Sequence, residues 1–169
     1  MTISRSSRQS VIADLPWLFK LKELTVAIAQ SYDLDPCVVF GILSRESGGG
    51  RLLGKWGNPK DTGDRGHGRG VMQMDDRTWK GALDLNRDGV EDSAWRAPAF
   101  SIAFGCWLLS ENLAMFDGRL DAGLAAYNCG PGRVKQALKA GKSVDAYTAG
   151  RNYSADVIAR AAYIAQLGL

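Results

Sequence analysis

Apolar residues recur along most of this chain at three- and four-residue steps, the period of one helix face. Trp17, Leu21, Leu24 and Ile28 mark such a face and predict a helix over residues 17–30. Asp35-Pro36 then supplies an N-cap and a proline suited to the first helical position. The run Cys37-Val38-Val39-Phe40-Gly41-Ile42-Leu43 that follows has almost no polar residue. A helix apolar on nearly all sides is a buried one, and Gly48-Gly49-Gly50 ends it after Ser44-Arg45-Glu46-Ser47. From Pro98, the positions Ile102, Cys106, Leu109, Leu113 and Phe116 predict the longest, central helix, closed by Asp117-Gly118. Shorter helices are expected over residues 120–127 and 134–140, separated by the turn Asn128-Cys129-Gly130-Pro131-Gly132. A last helix over residues 153–167 carries Val157, Ala161 and Ile164 on one face.

Two stretches break this pattern. Residues 1–16, rich in Ser and Arg at their start, predict an N-terminal arm, loose or a short leading helix, ahead of one domain over residues 17–169. Residues 48–74 hold nine glycines, eight up to Gly68 and then Gly70, and predict loops or a small irregular hairpin, with helix returning after Asp75. A long loop in a small domain is itself a hint of function. Several helices around one glycine-rich excursion give a mainly α (α+β) domain.

Composition narrows the chemistry. With 169 residues, 46% hydrophobic and 23% charged, the chain has the size of one domain with one core. Eighteen carboxylates stand against a single histidine, His67, which excludes a multi-histidine metal site and disfavours Ser-His-Asp or Cys-His catalysis. Cys37, Cys106 and Cys129 are odd in number, far apart and without CxxC spacing, so they read as reduced thiols. The net charge of +3 is too mild to point to nucleic acid. The longest uncharged run, residues 97–110, is short of the roughly 20 apolar residues of a membrane span. The first residues lack the apolar core of a secretory signal, so synthesis in the cytoplasm is expected.

Glu46 is the first candidate acid. It follows Val39, Ile42 and Leu43 by seven, four and three residues, so on a helix it shares their apolar face, where burial disfavours the carboxylate. It also lies in the last turn, where the helix dipole opposes negative charge. Both effects keep a carboxyl protonated near neutral pH, as a general acid requires. Spacing alone leaves open a terminal glutamate that leans into water. A second candidate is the run from Gly63 to Asp75, in which glycines permit close backbone approach to a ligand and Asp64 and Asp75 add two carboxylates. No GxxxxGK[ST] is present, so it is not a nucleotide loop. Ala126-Tyr127-Asn128-Cys129-Gly130 is a third, less specific segment.

Together these segments resemble one family. Ser44-Arg45-Glu46-Ser47, Trp56-Gly57, Gly63-Asp64-Arg65-Gly66, Gly70-Val71-Met72-Gln73-Met74-Asp75, Ala126-Tyr127-Asn128-Cys129-Gly130 and Asn152-Tyr153-Ser154-Ala155-Asp156-Val157 with Arg160 are similar, in that order, to goose-type lysozymes, over about residues 20–168. The resemblance implies a lysozyme-like fold, with a glycine-rich hairpin lining a sugar-binding cleft. It also implies cleavage of the β-1,4 bond between N-acetylmuramic acid and N-acetylglucosamine in peptidoglycan strands. Glu46 would be the acid, and Asp64 and Asp75 would position the attacking water. That is an inverting arrangement, in which the acid and base carboxyls stand about 6.5–9.5 Å apart. Gln73, Tyr127, Asn128 and His67 would belong to the cleft, Tyr153 would lie near Glu46, and Trp56, Trp79 and Trp95 are candidates for stacking on sugar faces. The loop before Asp64 is longer than in vertebrate members, His67 and Arg69 replace an expected Asn and aromatic, and the N-terminal disulfides of the avian enzymes have no counterpart. These departures suit a bacterial or phage-borne, endolysin-like enzyme acting on the cell wall as a monomer without a required cofactor.

Asp84-Leu85-Asn86-Arg87-Asp88-Gly89-Val90-Glu91-Asp92 matches the first nine positions of a calcium loop, with Asp84, Asn86 and Asp88 as ligands. Position 12 would be Trp95, which cannot ligate, so an acidic turn is the favoured reading and any Ca2+ would be structural. Two rival functions remain open. A lytic transglycosylase shares the Glu-Ser, Gly-x-Met-Gln and Ala-Tyr-Asn segments but leaves 1,6-anhydro ends and works with the glutamate alone. A non-catalytic wall-binding protein would keep the fold without the activity.

Overall fold

The computed structural model describes residues 3–55, 58, 60–83 and 93–169. The possible calcium loop at residues 84–92 and Trp56 lie outside the described residues. Eight α-helices and a three-stranded antiparallel sheet are present among them. Helix α1 is Arg5–Lys20, α2 Lys22–Ser31, α3 Pro36–Glu46, α4 Asp76–Leu83, α5 Pro98–Met115, α6 Leu120–Cys129, α7 Pro131–Lys139 and α8 Tyr153–Gln166. Strands β1 (Thr62–Gly63), β2 (Gly68–Arg69) and β3 (Met74–Asp75) form the sheet in sequence order. No described helix is long and apolar enough to cross a membrane.

The helix starting at Asp35-Pro36 forms as the sequence predicts. Asp35 Oδ1 accepts from the Cys37 backbone N–H at 2.8 Å, and Pro36 opens the first turn. Every residue from Val38 to Ser44 is buried, so α3 is the most enclosed helix, while α5, the longest, leaves Trp107 and Met115 exposed. Helix α3 lies against α8, and the contact is close because Gly41 has no side chain. A Cβ there would stand 2.8 Å from the Val157 carbonyl oxygen and 3.3 Å from the Ala161 nitrogen.

The N-terminal region departs from expectation. The boundary at residue 16 falls inside α1, and the expected helix over residues 17–30 is divided at Leu21 between α1 and α2. Of the two expectations for the first residues, the leading helix forms and the loose arm does not, and Ser7, Val11, Asp14 and Leu18 are buried on the core. Two of those four are polar, which hides the helix from a search for apolar periodicity, yet each has partners. Asp14, 1% exposed, accepts from Ser44 Oγ at 2.8 Å and from Arg51 Nε and Nη2 at 2.9 and 2.7 Å. Ser7 Oγ donates to Asp156. The turn expected at residues 128–132 shrinks to Gly130, whose φ of 84° separates α6 from α7. Two 3-10 turns that the sequence did not signal, Val144–Tyr147 and Ala149–Arg151, lead into α8.

The main core joins α1, α2, α3, α5 and α8. A smaller cluster, including Phe116, Ala125 and Val134, fills the α6–α7 corner, and Met74 and Trp95 pack with Phe100 and Phe104 beneath the hairpin. The three cysteines are free thiols, and burial pushes the Cys106 thiol up to about 12. The α3–α8 contact gives a direct test of the packing. Gly41→Ala forces a methyl against a backbone carbonyl, and overpacking of this kind costs about 1–3 kcal/mol. The thermal midpoint, followed by circular dichroism, should fall by roughly 2–10 °C, and an unchanged midpoint would show that the two helices separate freely.

Candidate active site

A cleft of about 290 Å³ opens between the hairpin and the helices. Glu46, Asp64, Gln73, Asp75, Trp79, Tyr127 and Asn128 all line it, so residues from five separate sequence segments converge. It continues into a wider lobe of about 720 Å³ past Asp75, Trp79, Tyr127 and Asn128 toward Arg77 and Arg133.

Glu46 is the last residue of α3, so the buried helix delivers its carboxyl to the cleft wall. The Tyr153 hydroxyl, on the first residue of α8, donates a hydrogen bond to Glu46 Oε1. Burial pushes the Glu46 carboxyl up from 4.5 to about 7; the Tyr153 bond and the Arg45 guanidinium oppose this, and Asp64 adds to it. The sequence-level reason for the shift, apolar neighbours one and two turns back, is the dominant one in the structure.

Tyr153 is 1% exposed and is itself held from behind. Buried Asp145 accepts from the Ser154 and Ala155 backbone N–H groups at 2.9 and 3.2 Å and from Ser154 Oγ at 2.7 Å, fixing the start of α8. The Tyr127 ring lies nearly parallel to that of Tyr153, with centroids 6.5 Å apart, and its hydroxyl donates to the Met72 carbonyl at 2.9 Å. Burial, with the Glu46 carboxyl nearby, raises both phenols well above their ordinary range, so they remain neutral.

Asp64 and Asp75 stand on the hairpin side of the cleft. Asp64 follows β1 with φ of 42°, and Arg65 follows with 55°, so two successive non-glycine residues occupy the left-handed region at the turn. Asp75 ends β3 and caps α4, its Oδ1 accepting from the backbone N–H groups of Arg77 and Thr78 at 2.9 and 3.2 Å. The Arg77 side chain grips the same carboxyl: Nε lies 3.1 and 3.2 Å from its two oxygens, and Nη2 also donates to it. Arg77 Nη2 reaches Asp64 Oδ2 at 3.3 Å as well. The Arg77 bond is the largest influence on Asp75 and holds its carboxyl below the usual range.

Several residues have other roles than the sequence suggested. Gln73 lines the cleft, but its Nε2 donates to the Gly70 carbonyl at 2.9 Å and its amide lies across the sheet. A Cβ at Gly63 or Gly68 would fall 2.2 or 2.1 Å from Gln73 Oε1, so these glycines make room for Gln73 rather than for a ligand. Asn128 uses its carbonyl oxygen to accept from the Ala149 backbone at 2.8 Å. His67 does not line the cleft; its Nδ1 meets Asp76 Oδ1 at 2.9 Å, and Asp76 also pairs with Arg69 at 2.7 Å. Trp95, 4% exposed, is a core residue with Arg69 and Arg96 over its ring, which removes it as a stacking surface. Trp79 does line the cleft and meets Phe104 and Trp107 edge-on, with centroids 5.2 and 5.7 Å apart. Sequence reading missed Arg77, although its position two residues after Asp75 at a helix start was a usable signal.

The Glu46 carboxyl has a measurable effect on stability. It titrates near 7 in the folded chain and near 4.5 in an ordinary setting, so its contribution is complete below pH 4.5 and is lost as pH rises through 7. The loss is on the order of 3 kcal/mol. Glu46→Gln removes it, so the variant should unfold at a higher temperature than the parent at pH 8 and at the same temperature at pH 4. Equal midpoints at both pH values would show that the carboxyl is not raised.

Comparison with known proteins gives the same assignment from sequence and fold. The family described as Transglycosylase SLT domain matches residues 23–150. Lysozyme g of Gallus gallus is 33% identical over 170 residues, covering 97% of this chain and 72% of that protein. Lysozyme g of Struthio camelus is 33% identical, with 96% and 74% covered, and that of Cyprinus carpio is 30% identical, with 88% and 75% covered. Among solved structures, an inactive mutant of the lytic transglycosylase Slt from Pseudomonas aeruginosa superposes with a TM-score of 0.61 at 23% identity. The likeness covers 86% of this chain and 24% of that much longer one, and it shows the shared fold. A half-buried glutamate at the end of α3, the order of the surrounding segments and these relatives lead to one assignment: the chain belongs to the goose-type lysozyme family, within the lysozyme-like enzymes that also include the SLT transglycosylase domains.

Proposed function

We propose that this chain is a muramidase that hydrolyses the β-1,4 bond between N-acetylmuramic acid and N-acetylglucosamine in bacterial peptidoglycan, with inversion at the anomeric carbon. The observation that carries the reading is Glu46, a carboxyl raised to about 7 on the wall of a cleft that also holds Asp64 and Asp75. In this reading Glu46 protonates the glycosidic oxygen as the bond to the anomeric carbon breaks. The carboxylates of Asp64 and Asp75 orient a water that attacks from the opposite face, and one of these carboxylates takes up the proton that the water loses. The Tyr153 hydroxyl keeps the Glu46 carboxyl aimed and moderates its pKa. Trp79, with Phe104 and Leu108, gives the cleft an apolar wall for a sugar face, and Asn128, whose carbonyl is engaged, offers its amide N–H group.

A second reading is favoured by the SLT-domain match and the fold shared with Slt: non-hydrolytic cleavage, in which the sugar's own 6-hydroxyl closes on the anomeric carbon. Glu46 alone serves that reaction. Asp64 and Asp75 on the cleft wall, with Asp75 held ionised, support hydrolysis, because a water nucleophile needs an acceptor for its proton and an internal hydroxyl on the same sugar can return it to the glutamate.

Digestion of purified peptidoglycan in 18O-labelled water separates the two. Hydrolysis gives fragments heavier by one water that carry the label at the new reducing end, and 1,6-anhydro ends would overturn it. Glu46→Gln should slow cleavage by at least about 100-fold while the variant still sediments with insoluble wall, and a variant that clears walls at the parent rate would remove Glu46 from the role of acid.

A further inference from the structure

The hydrolytic reading requires two carboxylates from different segments to hold one water. Asp64 sits in the turn after β1 and Asp75 at the end of β3, with β2 between those strands. Both are surface groups of the cleft, and Asp64 is 64% exposed. Left alone they repel each other and sample several rotamers. Arg77 is the side chain that touches both. Its Nε and Nη2 clasp Asp75 side-on, and the same Nη2 spans to Asp64 at 3.3 Å. The grip is anchored at the main chain, since the Arg77 backbone N–H also donates to Asp75. Asp76, the next carboxylate in the chain, is already engaged with His67 and Arg69. Arg133 lines only the outer lobe.

We propose that Arg77 is a positioning residue, a guanidinium bridge that fixes the spacing of Asp64 and Asp75 across the hairpin so that the pair presents one defined water site opposite Glu46. The inference rests on the hydrolytic reading and deepens it. Two physical demands select an arginine. A planar fork can meet two carboxylates at once, where an ammonium is a single point charge. Its positive charge also offsets the two negative ones near Glu46; Asp64 already pushes the Glu46 carboxyl upward. Arg77 is 57% exposed and contributes nothing to the core, so its replacement acts on the cleft and not on folding.

The test uses soluble peptidoglycan fragments and four variants beside the parent: Arg77→Gln, Arg77→Lys, Asp64→Asn with Asp75→Asn, and that pair combined with Arg77→Gln. Arg77→Gln should lower kcat by about 10- to 100-fold, the scale of a small misplacement of a reacting group, with KM changed less than about two-fold. Asp75 loses the partner that holds it ionised, so the acid limb of the rate profile should move to higher pH. Arg77→Lys should recover the limb in part, because charge is restored, but not kcat, because the span is not. Once Asp64 and Asp75 are amides, Arg77→Gln should cause no further loss beyond that of the Asp64→Asn, Asp75→Asn protein. Parent kcat and parent acid limb in Arg77→Gln, full recovery of kcat in Arg77→Lys, or an equal loss in the background without carboxylates would each overturn the bridge. If Asp64→Asn with Asp75→Asn is impaired and Arg77→Gln is not, the bridge alone falls. If the doubly amidated protein keeps the parent rate, the water-positioning reading falls and the bridge falls with it.

Discussion

The site depends on one buried chain of polar contacts between helices that are otherwise apolar. Ser44 Oγ donates to Asp14 and accepts from Arg160 Nη1, both at 2.8 Å. Arg160 Nε donates to Asp156 Oδ2 at 2.7 Å, and Arg45 Nη1 reaches the same oxygen at 2.9 Å. Burial alone would raise the Asp156 carboxyl, but Ser7, Arg160 and Arg45 together hold it below the usual range. The chain ties α1, α3 and α8 at one level, two residues before Glu46. Apolar surfaces slide over one another at little cost, whereas a buried charge stripped of its partner is costly. The polar chain therefore sets the register of α3 against α8, and that register brings the Tyr153 hydroxyl to the Glu46 carboxyl.

Two kinds of electrostatics operate within one small cleft. On the helix side, burial is the largest influence on Glu46. On the hairpin side the carboxyls remain in contact with solvent, and hydrogen bonding to Arg77 is the largest influence on Asp75. One wall therefore favours a protonated carboxyl and the other an ionised one, a division that acid and base roles require. The asymmetry comes from architecture: a rigid helix end on one side and three two-residue strands on the other.

Local signals in the chain were legible. The Asp35-Pro36 cap, the apolar run that buries α3, the glycine stop after Ser47 and the place of Glu46 all follow from residues near in sequence, and the structure reproduces them. Helices α5 and α8 were equally plain, because each carries a periodic apolar face, Ile102, Cys106 and Leu109 in α5 and Val157, Ala161 and Ile164 in α8, beside the polar residues that it also buries. Helix α1 was not, because Ser7 and Asp14 are buried through partners 149 and 30 residues away. No window of sequence displays such a pairing. The glycines of the hairpin were read as room for a ligand, and Gly63 and Gly68 instead house the amide of Gln73. Arg77 escaped notice for a related reason: its link to Asp75 is local, but its importance comes from Asp64, on the far side of a turn.

The bond between Tyr153 and Glu46 joins the last helix to the third, across 107 residues. During synthesis the α3 segment and its glutamate emerge first, and the Tyr153 that holds that carboxyl follows 107 residues later. A partly made chain contains every residue of the hairpin and still lacks Asp145, Tyr153, Asp156 and Arg160, the groups that lock the acid in place. Competence of the site therefore waits on the α8 segment, and a product cut short before Tyr153 carries the glutamate without the environment that makes it an acid near neutral pH.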